Sequence, residues 1–316
     1  MLNGHFVISL DFELYWGVHD VFSVRQYGDN IRNVNYVIPR LISLFERYEI
    51  RATFAIVGGI YHTDFEDFRT FISDSPIFPE YHEPILSPYS QKGLQKIANM
   101  PELFFQKQLI DQIKIAGHEI GTHTYCHYYC DEEGADVKSF EYDIKNAVGI
   151  AEKYGDNITS IVFPRNQIPP QEFEDILLRY GITCCRSNPY VGYSSNNLLN
   201  KVRRTIMSYF PLQPLTSNVP EKNDIIKIQA NYFLRPYSKY NFLNKQQMRY
   251  IKKSLEQAAI KRRIFHLWWH PHNFGVNIDE NFIMLEEILL YYKLMNNKYG
   301  LASSTMREIE ILTRNS

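Results

Sequence analysis

The sequence predicts an α/β protein whose parallel strands are joined by crossover helices. Three observations carry this. Short apolar runs near 6–12, 52–57, 161–163, 182–185, 224–228 and 264–269 alternate with segments of helical periodicity. Glycines such as Gly58, Gly117, Gly155 and Gly181 punctuate the alternation. The residues that carry chemistry stand at or just past strand ends, and in such folds the C-terminal ends of the strands form the site.

Taken in order, residues 6–12 read as a strand buried on both faces. Strand side chains alternate, so if the strand runs on past 12, Asp11 and Glu13 share one face while Leu10, Phe12 and Leu14 share the other. A helix near 31–48 follows, with Val34, Val37, Leu41, Leu44 and Phe45 at helical spacing and Pro39 as a kink or late start. The strand 52–57 stops at Gly58-Gly59. The stretch 60–101, broken by Pro76, Pro79, Pro84 and Pro88, reads as an extended insertion forming a wall or lid. Helices are expected near 103–116, 137–154, 171–179, 244–260, 279–296 and 303–313, and 187–223 reads as a second insertion, rich in Asn, Ser and Pro. No repeat, low-complexity tract or linker divides the 316 residues, so one domain is expected.

The hydrophobic content of 45% supports a large core, and 23 Tyr with 20 Phe make it aromatic. A net charge of −1 offers no basic field for nucleic acid. Four cysteines, two of them adjacent at Cys184 and Cys185, do not make a disulfide framework. The first residues lack a positive region before Asp11 and do not read as a signal peptide, and no apolar run of about 18 residues exists. These features lead to the expectation of a reduced, cytoplasmic protein.

The stretch His118 to His127 organises the chain. His123 and His127 stand four apart, a spacing that lets two imidazoles share one cation where the backbone is helical. A second group, His266, His270 and His272, follows the last apolar strand. Two other readings of the first pair stay open. It could be a hydrogen-bonded pair among Tyr125, Tyr128 and Tyr129, or part of a structural zinc site with Cys126 and Cys130. Along one helix those four ligands would spread over about 10 Å and could not converge. Asp11 and Glu13 at a strand end suit metal binding and proton abstraction, and Arg165 after the strand 161–163 suits pairing with a buried carboxylate.

With these residues placed, the sequence from Val7 to His272 resembles the polysaccharide deacetylases of the NodB homology superfamily, of carbohydrate esterase family 4 type. Val7-Ile-Ser-Leu-Asp11 is similar to the first motif, Arg51 to Gly58 to the second strand, and Gly117 to His127 to the metal-binding motif. Phe163-Pro-Arg165 and Leu267-Trp-Trp-His270 resemble the later motifs. The resemblance implies a distorted, incomplete (β/α) barrel. It implies Asp11 as general base, Arg165 orienting that base, His270 as catalytic acid, and a divalent metal, Zn2+, on Glu13, His123 and His127. Phe12 stands where the commonest pattern has a second aspartate, which is why Glu13 is the candidate third ligand. The family's fourth motif, an aspartate region tuning the catalytic histidine, is not identifiable, and His272 is an alternative acid.

The expected activity is removal of an N-acyl group, acetyl in the first instance, from a carbohydrate. The expected substrate is a small cytoplasmic sugar or a lipid-linked intermediate of surface polysaccharide synthesis, met by peripheral contact. Aromatic loops after Asp11 and His127 are expected to pack against one or a few sugar rings. The resemblance leaves open another carbon–nitrogen hydrolase, such as a deformylase or a cyclic-imide or ureide hydrolase, and a catalytically inactive carbohydrate-binding protein. Oligomeric state is not readable.

Overall fold

The computed structural model describes residues 3–72, 76–167, 169–187 and 216–316. Its centre is β1 (His5–Phe12), all eight residues of which are buried. It pairs in parallel with β2 (Ala52–Ile56) on one side and β8 (Ile264–Trp269) on the other. A strand flanked on both edges and covered on both faces needs apolar side chains in both directions, which is the continuous run seen in the sequence.

From β2 the sheet continues in parallel through β3 (Glu119–Thr122), β4 (Ser160–Ile161), β5 (Cys184–Ser187) and β6 (Ile226–Gln229). Beyond β8 lies β7 (Tyr232–Phe233), and β9 (Ala302–Ser304) adds to the start of β1. The two ends of the sheet come from one stretch of chain. β6 pairs with β5, and after Ala230 and Asn231 the same segment pairs with β8 as β7. Ala230 N–H donates to the Ser187 carbonyl and Asn231 N–H to the His266 carbonyl, so the turn itself spans both neighbours. The sheet therefore curls into the distorted, incomplete (β/α) barrel that the resemblance implies, with helices outside.

Alternation along β1 divides the core. Phe6, Ile8, Leu10 and Phe12 face the helices, whereas Val7 lies in the inner cluster with Ala55, Val162, Cys184, Ile226 and Ile264. Ser9 and Asp11 continue that inner column upward, which delivers an acid to the top of the barrel. The helix expected at 31–48 is Val34–Arg47 with Pro39 inside, preceded by a separate helix Val24–Arg32; Val34, Val37, Leu41, Leu44 and Phe45 are all buried. The insertion at 60–101 is more ordered than a loop, with helices Phe65–Phe71 and Gln91–Asn99. Most of the insertion expected at 187–223 lies outside the described residues. No helix among the described residues is long and apolar enough to cross a membrane. The four cysteines are buried and unpaired.

Candidate active site

β3 runs into a turn rather than a helix. Thr124 and His127 have positive φ, 65° and 58°, so the spacing of four is realised by a folded loop and not by helical stacking. The loop is held from three sides. Gly58 and Gly59 N–H groups donate to the carbonyls of Thr124 and Tyr125 at 2.9 and 2.8 Å. The buried carboxylate of Asp143, on helix Val137–Lys153, accepts from the N–H groups of Tyr125 and Cys126 at 2.6 and 3.1 Å. Thr124 Oγ1 accepts from the Tyr128 N–H at 2.7 Å. Burial pushes the Asp143 carboxyl up to about 7 against the lowering effect of those two backbone donors. These contacts fix the backbone strain at His127 and leave both imidazoles pointing to the top of the barrel.

The two rings meet on one atom. His123 Nε2 and His127 Nε2 lie 3.2 and 3.1 Å from the same Glu13 Oε2, and all three residues are buried. His123 Nδ1 lies 2.8 Å from the Val162 carbonyl, which can only accept, so the ring proton sits on Nδ1 and Nε2 carries a lone pair. That lone pair then faces a carboxylate oxygen. Two acceptors at this distance need a positive charge between them, and the set of two imidazole nitrogens and one carboxylate oxygen is the donor set of a borderline divalent ion. The ligand atoms of Glu13, His123 and His127 lie within 4.8 Å of one another. The residues fit a divalent metal. Gly17 makes room for the third ligand: a Cβ there would collide with the Glu13 carboxylate.

Asp11 is beside this cluster and is held by a different arginine from the one expected. Arg186, at the end of β5, makes a bidentate pair with it, Nη1 to Oδ1 at 2.6 Å and Nη2 to Oδ2 at 2.7 Å. Arg186 is itself fixed by Ser9 Oγ at 3.1 Å and Asn166 Oδ1 at 2.8 Å, and its guanidinium lies over the Trp268 ring at 4.2 Å. Arg165 does not reach Asp11. It pairs with Asp20 and Glu132 and lies over Tyr129 at the rim, because its backbone is in the left-handed region (φ 54°) and turns the side chain outward. The sequence expectation that Arg165 pairs with Asp11 is therefore corrected: the partner of Asp11 is Arg186.

Burial alone would raise both carboxyl pKa values. For Asp11 it is outweighed chiefly by the charge and the hydrogen bonds of Arg186, and the net shift is downward. For Glu13 the charge of His270 and the close approach of the His123 and His127 imidazoles outweigh it, and the carboxyl lies well below its usual range. Burial likewise lowers His127, against the opposing pull of Glu13.

His270 completes the centre from the end of β8. Its Nε2 lies 3.6 Å from Asp11 Oδ2 and 3.5 Å from Glu13 Oε1, and its Nδ1 is 3.3 Å from Asn273 Nδ2, whose Oδ1 accepts from the Tyr27 hydroxyl. The position facing the far nitrogen of this histidine is thus filled by an amide rather than a carboxylate. His272 is buried behind it, its Nε2 3.8 Å from Glu13 Oε1, and burial pushes it down to about 3. The thiol of Cys126 accepts from the Tyr89 hydroxyl at 2.8 Å and is raised well above its usual value by burial, so it is no thiolate ligand.

Two sequence expectations change. The aromatics after Asp11 and His127 are no sugar platform: Tyr15, Trp16, Tyr128 and Tyr129 are buried against one another and their neighbours. The half-buried rings at the site are Trp268 and Phe233, their centroids 4.6 Å apart beside His270. The second change is Arg186, which no motif marks. The only signal in the sequence is a charged residue emerging from a buried Cys-Cys strand, which is costly unless it is paired.

Fold and site together support a metal-dependent amide-hydrolase centre. A family model described as polysaccharide deacetylase matches residues 27–184, half of the chain, and the protein belongs to that family. The match includes His123 and His127, whereas Asp11, Glu13, Arg186 and His270 lie outside it and are brought in by β1, β5 and β8. No curated protein sequence matches the chain.

Among solved structures, a Mycobacterium smegmatis protein assigned to the polysaccharide deacetylases has a TM-score of 0.59 and 12% identity, covering 99% of this chain and 91% of that one. A GH57 branching enzyme from Thermococcus kodakaraensis has a TM-score of 0.57 and 13% identity, covering 98% and 71%. An α-amylase from Thermotoga maritima has 0.54 and 11%, covering 98% and 74%. At these identities the likeness shows a shared fold.

Proposed function

We propose that the protein hydrolyses the N-acyl amide of an amino sugar, acetyl being the acyl group, with Zn2+ as the cation held by Glu13, His123 and His127. The observation that carries this reading is the convergence at one point of a His-His-Glu ligand set, an arginine-clamped aspartate and a partly exposed histidine. A divalent ion held by these residues would lower the pKa of a water and polarise an acyl oxygen. Asp11, kept ionised and oriented by Arg186, retains a lone pair on each oxygen and takes the proton from the attacking water. His270 presents Nε2 to the same space and delivers the proton to the departing nitrogen. Asn273 and Tyr27 hold its ring in that orientation.

The shared fold raises glycoside hydrolysis as the competing chemistry. A glycosidase needs one carboxyl kept protonated as acid and a second ionised. Here Arg186 holds Asp11 as an anion and two imidazoles hold Glu13, so neither is left to donate. This favours the amide. Phe233 and the side of Trp268 not covered by Arg186 leave apolar surface for one or a few rings beside His270, which supports a small or lipid-linked acylamino sugar over a long polymer. Action in the cytoplasm is part of the same proposal, and recovery of the native protein outside the membrane would contradict it.

The test is acetate release from nucleotide-linked, oligomeric and polymeric N-acetylated sugars by metal-loaded protein. Release from the small substrates, falling about 10²- to 10⁴-fold in His270→Ala with metal content intact, is expected. No release from any of them by fully loaded protein, or preference for polymer, overturns the reading.

A further inference from the structure

Glu13 has a second face. Its Oε2 serves His123 and His127, while Oε1 is directed at His270 Nε2, 3.5 Å away, and His272 Nε2, 3.8 Å away. The ligand atoms of Glu13, His270 and His272 also lie within 4.8 Å of one another. The two rings are stacked, with centroids 5.1 Å apart and planes 15° apart, so their Nε2 atoms address the same carboxylate oxygen. The side chain of His272 makes no hydrogen bond among the described residues, although the residue is 3% exposed. An imidazole nitrogen of a buried residue, aimed at a carboxylate just beyond hydrogen-bond reach, leaves room for an ion and not for a direct contact. The backbone there is anchored, with Asn30 Nδ2 donating to the His272 carbonyl at 3.0 Å.

We propose that His270, His272 and Glu13 Oε1 form a second, weaker site for a divalent transition cation, in which the Asn273 amide turns its oxygen to the His270 Nδ1–H, and that its occupation blocks the enzyme by taking the nitrogen that delivers the proton. The inference rests on the hydrolytic reading for its consequence but not for the site. A carboxylate shared by two cations places them about 3.5–4 Å apart, a spacing common in two-metal centres.

Charge makes the second site the weaker one. Arg186 already neutralises Asp11, so Glu13 is the one uncompensated anion facing either position, and the first cation more than cancels it. The first triad is fully buried, whereas His270 is 22% exposed and opens the second position to water. One nitrogen cannot hold both a cation and the proton it is to donate, so filling this site stops turnover without disturbing the first.

Zinc content after equilibrium dialysis, read by mass spectrometry of the metal, tests the site without reference to activity. Wild type should hold about one equivalent at limiting zinc and about two in excess, while His272→Ala should stay at about one. Crystals soaked in excess zinc give a test that needs no variant: an anomalous peak should stand between His270, His272 and Glu13, beside that of the first site. Saturation at one equivalent, or no peak at this position, overturns the proposal, as does a second equivalent that survives in His272→Ala.

Turnover in excess zinc, each protein normalised to its own rate at one equivalent, should fall at least tenfold in wild type and hold in His272→Ala. Two bound ions with undiminished turnover would overturn the blocking role. Absence of any amide hydrolysis would refute the hydrolytic reading, with the ion count still deciding the site.

Discussion

Arg165 and Arg186 follow neighbouring strands of the same sheet and do opposite things. Arg165 stands on a three-residue turn after β4, about one-third exposed, with the half-buried carboxylate of Glu132 and the buried one of Asp20 as partners. Arg186 is the third residue of β5, fully buried, and both of its terminal nitrogens are spent on Asp11. The difference is one of desolvation. A guanidinium taken wholly out of water persists only if each donor is matched, and a bidentate carboxylate with a hydroxyl and an amide oxygen does this. At the rim, water supplies what the partners do not.

The largest effect should come from removing the buried partner. Arg186→Leu leaves Asp11 unpaired in the barrel and should cost about 3–5 kcal/mol in urea unfolding, with activity lost. A cost within the range of a surface pair would mean that Asp11 is not held as the geometry shows. Next is the metal side of the same centre. Gly17→Ala forces the Glu13 carboxylate out of its cradle, and metal affinity should drop about ten- to hundred-fold, measured by competition with a chelating dye. Unchanged affinity would remove Glu13 from the ligand set.

Much of this centre was legible from residue types and order. Alternation along one buried strand put Asp11 and Glu13 on a common face; the strand ends at Phe12, and Glu13 reaches the same centre from the turn that follows. The histidines announced themselves by clustering. What the spacing of His123 and His127 did not reveal was the backbone: a left-handed residue at Thr124 and another at His127 replace the helix, fixed by Gly58, Gly59 and the carboxylate of Asp143, 18 residues downstream of Tyr125. Such long-range hydrogen bonds have no local signature. Arg186 was hidden for a related reason, since its partner lies 175 residues away and only sheet closure brings them together. The aromatic loops misled because a Tyr or Trp beside a catalytic acid serves equally as core, and here Trp16 donates to the Phe104 carbonyl inside it.

A pH effect comes from the barrel interior below Arg186. His266, bonded to Ser9 Oγ at 2.8 Å, is pushed down to about 3 by burial. The unfolded chain binds its proton near 6.5 and the folded one does not, so this stabilisation is present above 6.5 and is lost as pH falls toward 3, at about 1.4 kcal/mol per pH unit. Asp143, raised to about 7, acts in the opposite sense, its contribution falling as pH rises from 3.8 toward 7. The difference in unfolding free energy between wild type and His266→Gln should therefore shrink between pH 6.5 and 4.5; a constant difference would contradict a buried neutral His266. The smallest effect is expected at the rim. Arg165→Ala, which leaves the buried Asp20 carboxylate with the Tyr129 hydroxyl, should cost about 1–2 kcal/mol and leave metal content unaltered, and a loss matching that of Arg186→Leu would erase the contrast between the two.

The most direct test of the centre is diffraction at the zinc absorption edge from crystals loaded with one equivalent of Zn2+. The account predicts a single anomalous peak about 2.0–2.2 Å from His123 Nε2, His127 Nε2 and Glu13 Oε2, with Asp11 still clamped by Arg186 beside it. A peak at any other set of ligands, or none at full occupancy in solution, would contradict it.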